Sequence, residues 1–72
     1  MEYNNDYEEF ILTNKITNKM IGLDRDSGGY PFDTEMLSQV HIFNDLEELR
    51  KYNQMFGNIY QPAILTYRIG KI

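Results

Sequence analysis

The chain has no cysteine. A disulfide framework and a thiolate zinc site are therefore excluded, and cysteine usage gives no reading of redox compartment. Basic residues are few, 7 Lys and Arg in all, and they are scattered. Direct nucleic-acid binding needs clustered Lys and Arg to neutralise phosphates, so that class is not expected. Apolar runs never exceed three residues, as at Phe10-Ile11-Leu12, so no stretch reads as a membrane span. The N-terminal Met1-Glu2-Tyr3-Asn4-Asn5-Asp6 is polar and acidic, unlike a signal peptide. Together these absences give a soluble, cytoplasmic reading with no membrane partner. Length is short as well: 72 residues are one domain. A chain of that size buries only roughly 60% of its unfolded surface, too little for a deep, water-excluding catalytic cleft.

What is present is the composition of a folded domain, 42% hydrophobic and 25% charged. Acidic residues outnumber basic ones 11 to 7, giving a net charge of −4. An acidic surface suits protein partners with basic patches, and it also keeps a small protein dissolved.

Residues 1–7, with Glu2, Asp6, Tyr3 and Tyr7, read as a flexible acidic leader to the single domain 1–72. Glu9–Thr13 and Lys19–Leu23 read as strands joined by the turn residues Asn14–Asn18, a hairpin. Asp24-Arg25-Asp26-Ser27-Gly28-Gly29 is a loop. Tyr30-Pro31-Phe32 is an edge or loop piece, because Pro31 denies a sheet one donor. Asp33–Leu37 reads as one short helical turn, and Gln39–Phe43 as a third strand with Val40 and Ile42 on one face. Asn44 as N-cap with Glu47 forms a capping box for a helix. Its apolar face carries Leu46, Leu49, Tyr52 and Phe56, its outer face Glu47 and Lys51, and Gly57 ends it. Ala63–Ile69 alternates as a last strand. The expected fold is α+β, a small antiparallel sheet of three to four strands with one helix on one face, in the order ββ-loop-βαβ.

No constellation carries catalysis. His41 is the only histidine, and no serine or second histidine supports a nucleophilic or metal site. Glu8–Glu9 and Glu47–Glu48 are sequence neighbours whose side chains diverge, so neither is an acid–base pair. The segment from Asp24 to Glu35 places carboxylates at loop positions 1, 3 and 12 and a glycine at 6, as an EF-hand does. Gly28 offers no oxygen at position 5, Pro31 stands in place of an aliphatic residue, and a strand precedes the loop instead of a helix. The reading is of no enzyme, no cofactor and no metal, with a weak calcium or small-ligand site in 24–35 as an alternative. Ten aromatics, six of them tyrosine, are many for so small a core. Tyrosine is enriched at protein interfaces. Asp24, Asp26, Tyr30, Phe32, Asp33 and Glu35 combine charge and aromatic area in one loop and form the candidate partner-binding set.

Ser27-Gly28-Gly29-Tyr30-Pro31-Phe32, followed by Val40-His41-Ile42-Phe43 and Leu46-Glu47-Glu48-Leu49, resembles a loose group of small bacteriophage and prophage proteins. The resemblance covers residues 9–69 and leaves the leader outside. It implies a phage-encoded accessory that binds a host protein in the host cytoplasm and inhibits or redirects it, as anti-CRISPR and other anti-defence proteins do. It carries no catalytic residues. A phage structural or regulatory module is the alternative, and a homodimer is compatible with either.

Overall fold

A computed structural model describes the backbone of residues 5–69 and the side chains of residues 8–66. Strand β1 (Asn5–Asn14) and β2 (Met20–Asp24) are followed by a short 3-10 turn, Arg25–Ser27, and by β3 (Tyr30–Thr34). A second 3-10 turn, Leu37–Gln39, leads to helix α1 (Leu46–Met55), and β4 (Tyr60–Ile69) ends the fold. All pairings are antiparallel, and the strand order is β3-β2-β1-β4. This is a small α+β fold with one helix over one face of a four-stranded sheet.

Alternation along each strand sorts the side chains. Phe10, Leu12, Ile21 and Leu23 face the helix, and Leu12, Ile21, Phe43 and Leu49 form the buried cluster. Phe10, Leu23, Tyr52 and Tyr60 pack around it. Ile11 and Gly22 are buried on the opposite face, where the Gln39 carbonyl and the Phe32 ring come down over Gly22. An aromatic row crosses the helix side: Phe43, Tyr52, Phe56 and Tyr60 lie 5.0–6.4 Å apart between successive ring centroids.

The helix starts one residue later than its sequence pattern predicts. Asp45 is the N-cap, its Oδ1 accepting from the Glu48 N–H at 2.8 Å, and Glu48 reaches back to accept from the Asn44 N–H at 3.2 Å. Asn44 and Glu47 are thus not the capping pair. On the inner stripe Leu49 is fully buried and Phe56 half-buried, while Leu46 is exposed because it sits in the first turn. Asn53 is the polar residue inside: its amide donates to the Tyr60 carbonyl at 2.9 Å and its Oδ1 accepts from the Tyr60 N–H at 3.1 Å. Gly57, at φ 71°, ends the helix as expected.

Two other expectations are corrected. Residues 33–37 do not make a helical turn, since β3 continues to Thr34 and the 3-10 turn begins at Leu37. Gln39–Phe43 is not a strand. The His41 N–H donates to Ile21 of β2 at 3.0 Å, and the Phe43 N–H to Phe10 of β1 at 2.9 Å. These bonds go to two different strands, because β1 and β2 pair only at Thr13↔Met20 and then splay apart. The 41–43 segment wedges into the gap and delivers Phe43 to the core. The first strand is longer than Glu9–Thr13: it begins at Asn5, so positions 5–7 of the expected leader pair with residues 67–69. Positions 1–4 of that leader lie outside the described residues.

Candidate functional site

The 24–35 segment is the turn and second strand of the β2–β3 hairpin, and that geometry decides which of its side chains can meet. Asp24 closes β2 and uses its Oδ1 to accept from the Asp26 N–H at 3.0 Å, while its carbonyl accepts from Gly29 at 2.7 Å. The turn needs left-handed backbone at Gly28 (φ 75°) and Gly29 (φ 84°), which glycine adopts without a Cβ penalty. Tyr30 pairs with Asp24, and Thr34 with Met20, at the far end of the ladder. Glu35 follows Thr34, so it sits a full strand length from Asp24 and Asp26, on the order of 17 Å at ~3.4 Å per residue. The three carboxylates of the calcium reading do not converge. Among the described residues no group of three or more His, Asp or Glu could hold a metal ion.

Asp33 stands one rung from that far end, opposite Ile21. Its carboxylate accepts from Asn14 Nδ2 at 3.1 and 3.2 Å and from Thr17 Oγ1 at 3.1 Å. It fastens the β1–β2 turn to β3 and is thereby committed within the fold. Asn14 completes the turn by accepting the Ile16 and Thr17 N–H groups on its own Oδ1, at 2.8 and 3.1 Å.

The two aromatics of the candidate set serve different hollows. Phe32 lies across Gly22, its partner in the ladder, and lines a cleft of about 380 Å³ with Arg25, Gln39 and His41. A Cβ on Gly22 would stand 2.6 Å from Phe32 Cζ and would also strike the Gln39 carbonyl. Tyr30, 64% exposed, borders a smaller hollow of about 230 Å³ with Gly28, Gly29 and Phe56. Tyr52 braces this end by donating its hydroxyl to the Gly29 carbonyl at 3.0 Å. Its phenol is held above the ordinary value, first by burial and then by neighbouring Tyr60. The Tyr60 phenol is raised likewise, by burial and then by Asp33.

The chain after β3 carries a surface that its local sequence pattern does not announce. Thr34 is buried, donates its hydroxyl to Gln39 Oε1 at 2.8 Å and accepts the Met36 N–H at 3.0 Å. These bonds hold a turn that displays Met36 (58% exposed) and Leu37 (64% exposed). Leu37 and Ile42 then meet Glu9 and Leu65 around an apolar groove of about 300 Å³ on the face away from the helix. Glycine inside the strand pattern, Gly22, is the sequence signal that something approaches this face closely. Asp24, Asp26, Tyr30 and Phe32 therefore gather at the hairpin tip and its flank, Glu35, Met36 and Leu37 at its base, and Asp33 apart.

The chain matches no protein-family model, and no similar curated protein or solved structure was found. Among the described residues no helix is long and apolar enough to cross a membrane.

Proposed function

We propose that this chain is a small acidic protein-binding domain, a phage-encoded accessory that docks on a host defence factor and inhibits or redirects it. The observation that carries the binding reading is the concentration of exposed apolar side chains between Tyr30 and Ile42. Tyr30, Phe32, Met36, Leu37 and Ile42 all present apolar area to solvent within that one stretch. Single exposed apolar residues are ordinary, but several displayed along one hairpin and the chain that follows it, with carboxylates among them, supply the anchors an interaction surface needs. Asp24, Asp26 and Glu35 would steer encounter with a basic partner, and the aromatic and aliphatic groups would hold it. The phage and anti-defence part of the reading is supported by the sequence resemblance over Ser27–Phe32, Val40–Phe43 and Leu46–Leu49 alone.

The test is plating efficiency of a phage targeted by an active nucleic-acid-cleaving defence system, in cells with and without this protein. Rescue by the wild-type chain is expected, together with its loss in Tyr30→Ala/Phe32→Ala. Truncating two anchors of ~2 kcal/mol should each weaken binding roughly thirtyfold. Absence of rescue, with no affinity of the purified chain for the defence protein, would sink the anti-defence reading. Rescue that survives the double substitution would move the surface elsewhere.

A further inference from the structure

The sheet has two edge strands, and they are built differently. β3 is five residues long and carries Pro31 and Asp33, features that discourage a further strand. β4 is ten residues long, and from Ala63 to Tyr67 it has no charge and no proline. Its hydrogen-bonding pattern can be read from its contacts. Tyr60 gives both backbone groups to Asn53, so they point away from β1. Gln61 turns its carbonyl toward β1, where Thr13 Oγ1 donates to it at 3.2 Å. Antiparallel alternation then directs the backbone groups of Pro62, Ile64, Thr66 and Arg68 outward. Pro62 has no N–H to offer, and its carbonyl accepts from Gln61 Nε2 at 3.2 Å. Asn53 and Gln61 thus close the first outward positions and leave Ile64 and Thr66 open.

We propose that β4 pairs antiparallel with β4 of a second copy about a two-fold axis at Leu65, making one continuous eight-stranded sheet. In this register Ile64 faces Thr66 of the other copy, and each pair exchanges both of its backbone bonds. A centre at Ile64 would set Thr66 against donor-less Pro62. The Leu65 side chains meet on the groove face, joining two grooves that each hold Leu37 and Ile42. Glu9 lies across from Leu65 inside each copy. The two Glu9 positions are then three strand spacings apart, about 14 Å, beyond the screening length at physiological salt.

The occupant is a second copy because the open positions complement themselves: Ile64 and Thr66 of one β4 meet Thr66 and Ile64 of another with every outward bond between them made, along a stretch with no charge to repel its twin. β1 and β4 pair along their whole length, whereas β2 joins β1 only at Thr13 and the wedge only at Phe10. Between Phe10 and Asn5, among the described residues, no third strand pairs with this ribbon, and a two-stranded arrangement is marginal in water until further strands join it. The other edge of that ribbon, β1, carries Asp6, Glu8 and Glu9, and like charges there oppose self-pairing. This inference is independent of the host-factor reading.

Sedimentation equilibrium of the whole chain over a wide dilution series tests it. The mass should rise from 8.6 kDa toward twice that value with concentration. Thr66→Pro removes only an outward N–H, so it should stay monomeric with an unchanged circular dichroism spectrum. Because that variant could fail to fold, a second measurement uses the cysteine-free background. Leu65→Cys places one thiol on the axis, at a non-hydrogen-bonded pair where Cα atoms are ~4.5 Å apart, a spacing a disulfide accepts. It should oxidise to a covalent dimer at least about tenfold faster than Ile16→Cys on the exposed turn, because pairing raises the effective thiol concentration. A wild-type chain that is monomeric throughout, a folded Thr66→Pro that still dimerises, or equal oxidation rates for the two thiols would overturn the proposal.

Discussion

Gly22 shows how one missing side chain organises a face. Its bare Cα lets the Phe32 ring and the Gln39 carbonyl come down onto the sheet together. Gly22→Ala forces one of them away, and the backbone carbonyl cannot swing aside as a flexible side chain would. The expected cost is ~1–3 kcal/mol, the range for overpacking a filled site, read as a lower denaturation midpoint. A change within ~0.5 kcal/mol would mean the approach is looser than described. The carboxylates divide by the same logic of local contacts. Asp24 is bound into its own turn and Asp33 into the neighbouring one, so they are not equivalent to exposed Asp26 and Glu35. Grouping Asp33 with the others followed from sequence distance. Its true partners, Asn14 and Thr17, are brought to it by the sheet and are invisible in a local pattern.

At the scale of elements, α1 was the most legible part. Leu49, Tyr52 and Phe56 recur at helical spacing, and Gly57 punctuates the end. Only the cap was displaced, because Asn44 and Asp45 are both good caps and both have a glutamate three residues on. Asp45→Ala should cost ~1 kcal/mol, while Asn44→Ala should be near neutral. A larger loss of melting temperature in Asn44→Ala than in Asp45→Ala would place the cap at Asn44 after all. The wedge was illegible for a physical reason. Val40 and Ile42 alternate as a strand would, yet the bonds of 41–43 go to two strands that have parted, a tertiary circumstance. The helix-side aromatic row gives a further expectation. Tyr52 has a raised pKa when folded, so the unfolded chain loses the phenol proton first. Its stabilising share is intact below the unfolded value, ordinarily 10.0, and is lost as pH rises from there through the folded value. The melting temperature should fall more steeply above that pH in the wild type than in Tyr52→Phe. Parallel curves would contradict it.

On the scale of the whole molecule, the shape is elongated, 47 × 23 × 23 Å with a radius of gyration of 13.8 Å. A compact domain of this length would have about 11 Å. The excess matches a β1–β4 ribbon longer than its ten-residue helix, which spans roughly 15 Å. Fold class, helix and last strand were legible because each rests on local periodicity. The long first strand was not, since its acidic start, Asn5–Glu8, has no strand pattern and is held by β4. The hairpin geometry also bears on the calcium alternative. With Asp24 and Glu35 at opposite ends of the ladder, ~1 mM calcium should leave the thermal midpoint unmoved, since only a ligand bound to the folded state raises it. A rise of several degrees that disappears in Asp24→Asn would restore a metal role.

The β1–β4 ladder also dictates the order in which the molecule can be assembled. Residues 5–14 wait for residues 60–69, so the longest ladder closes a loop that contains every other element. Loop-closure entropy must be met before those contacts reward it, which places this small domain among slow, high-contact-order folders. During synthesis, β1 leaves the ribosome before β4 and keeps that edge unsatisfied until residues 60–69 have followed. The ladder therefore closes only after every element between its two strands has been made, and the charges of Asp6, Glu8 and Glu9 keep the waiting strand from pairing with its own kind.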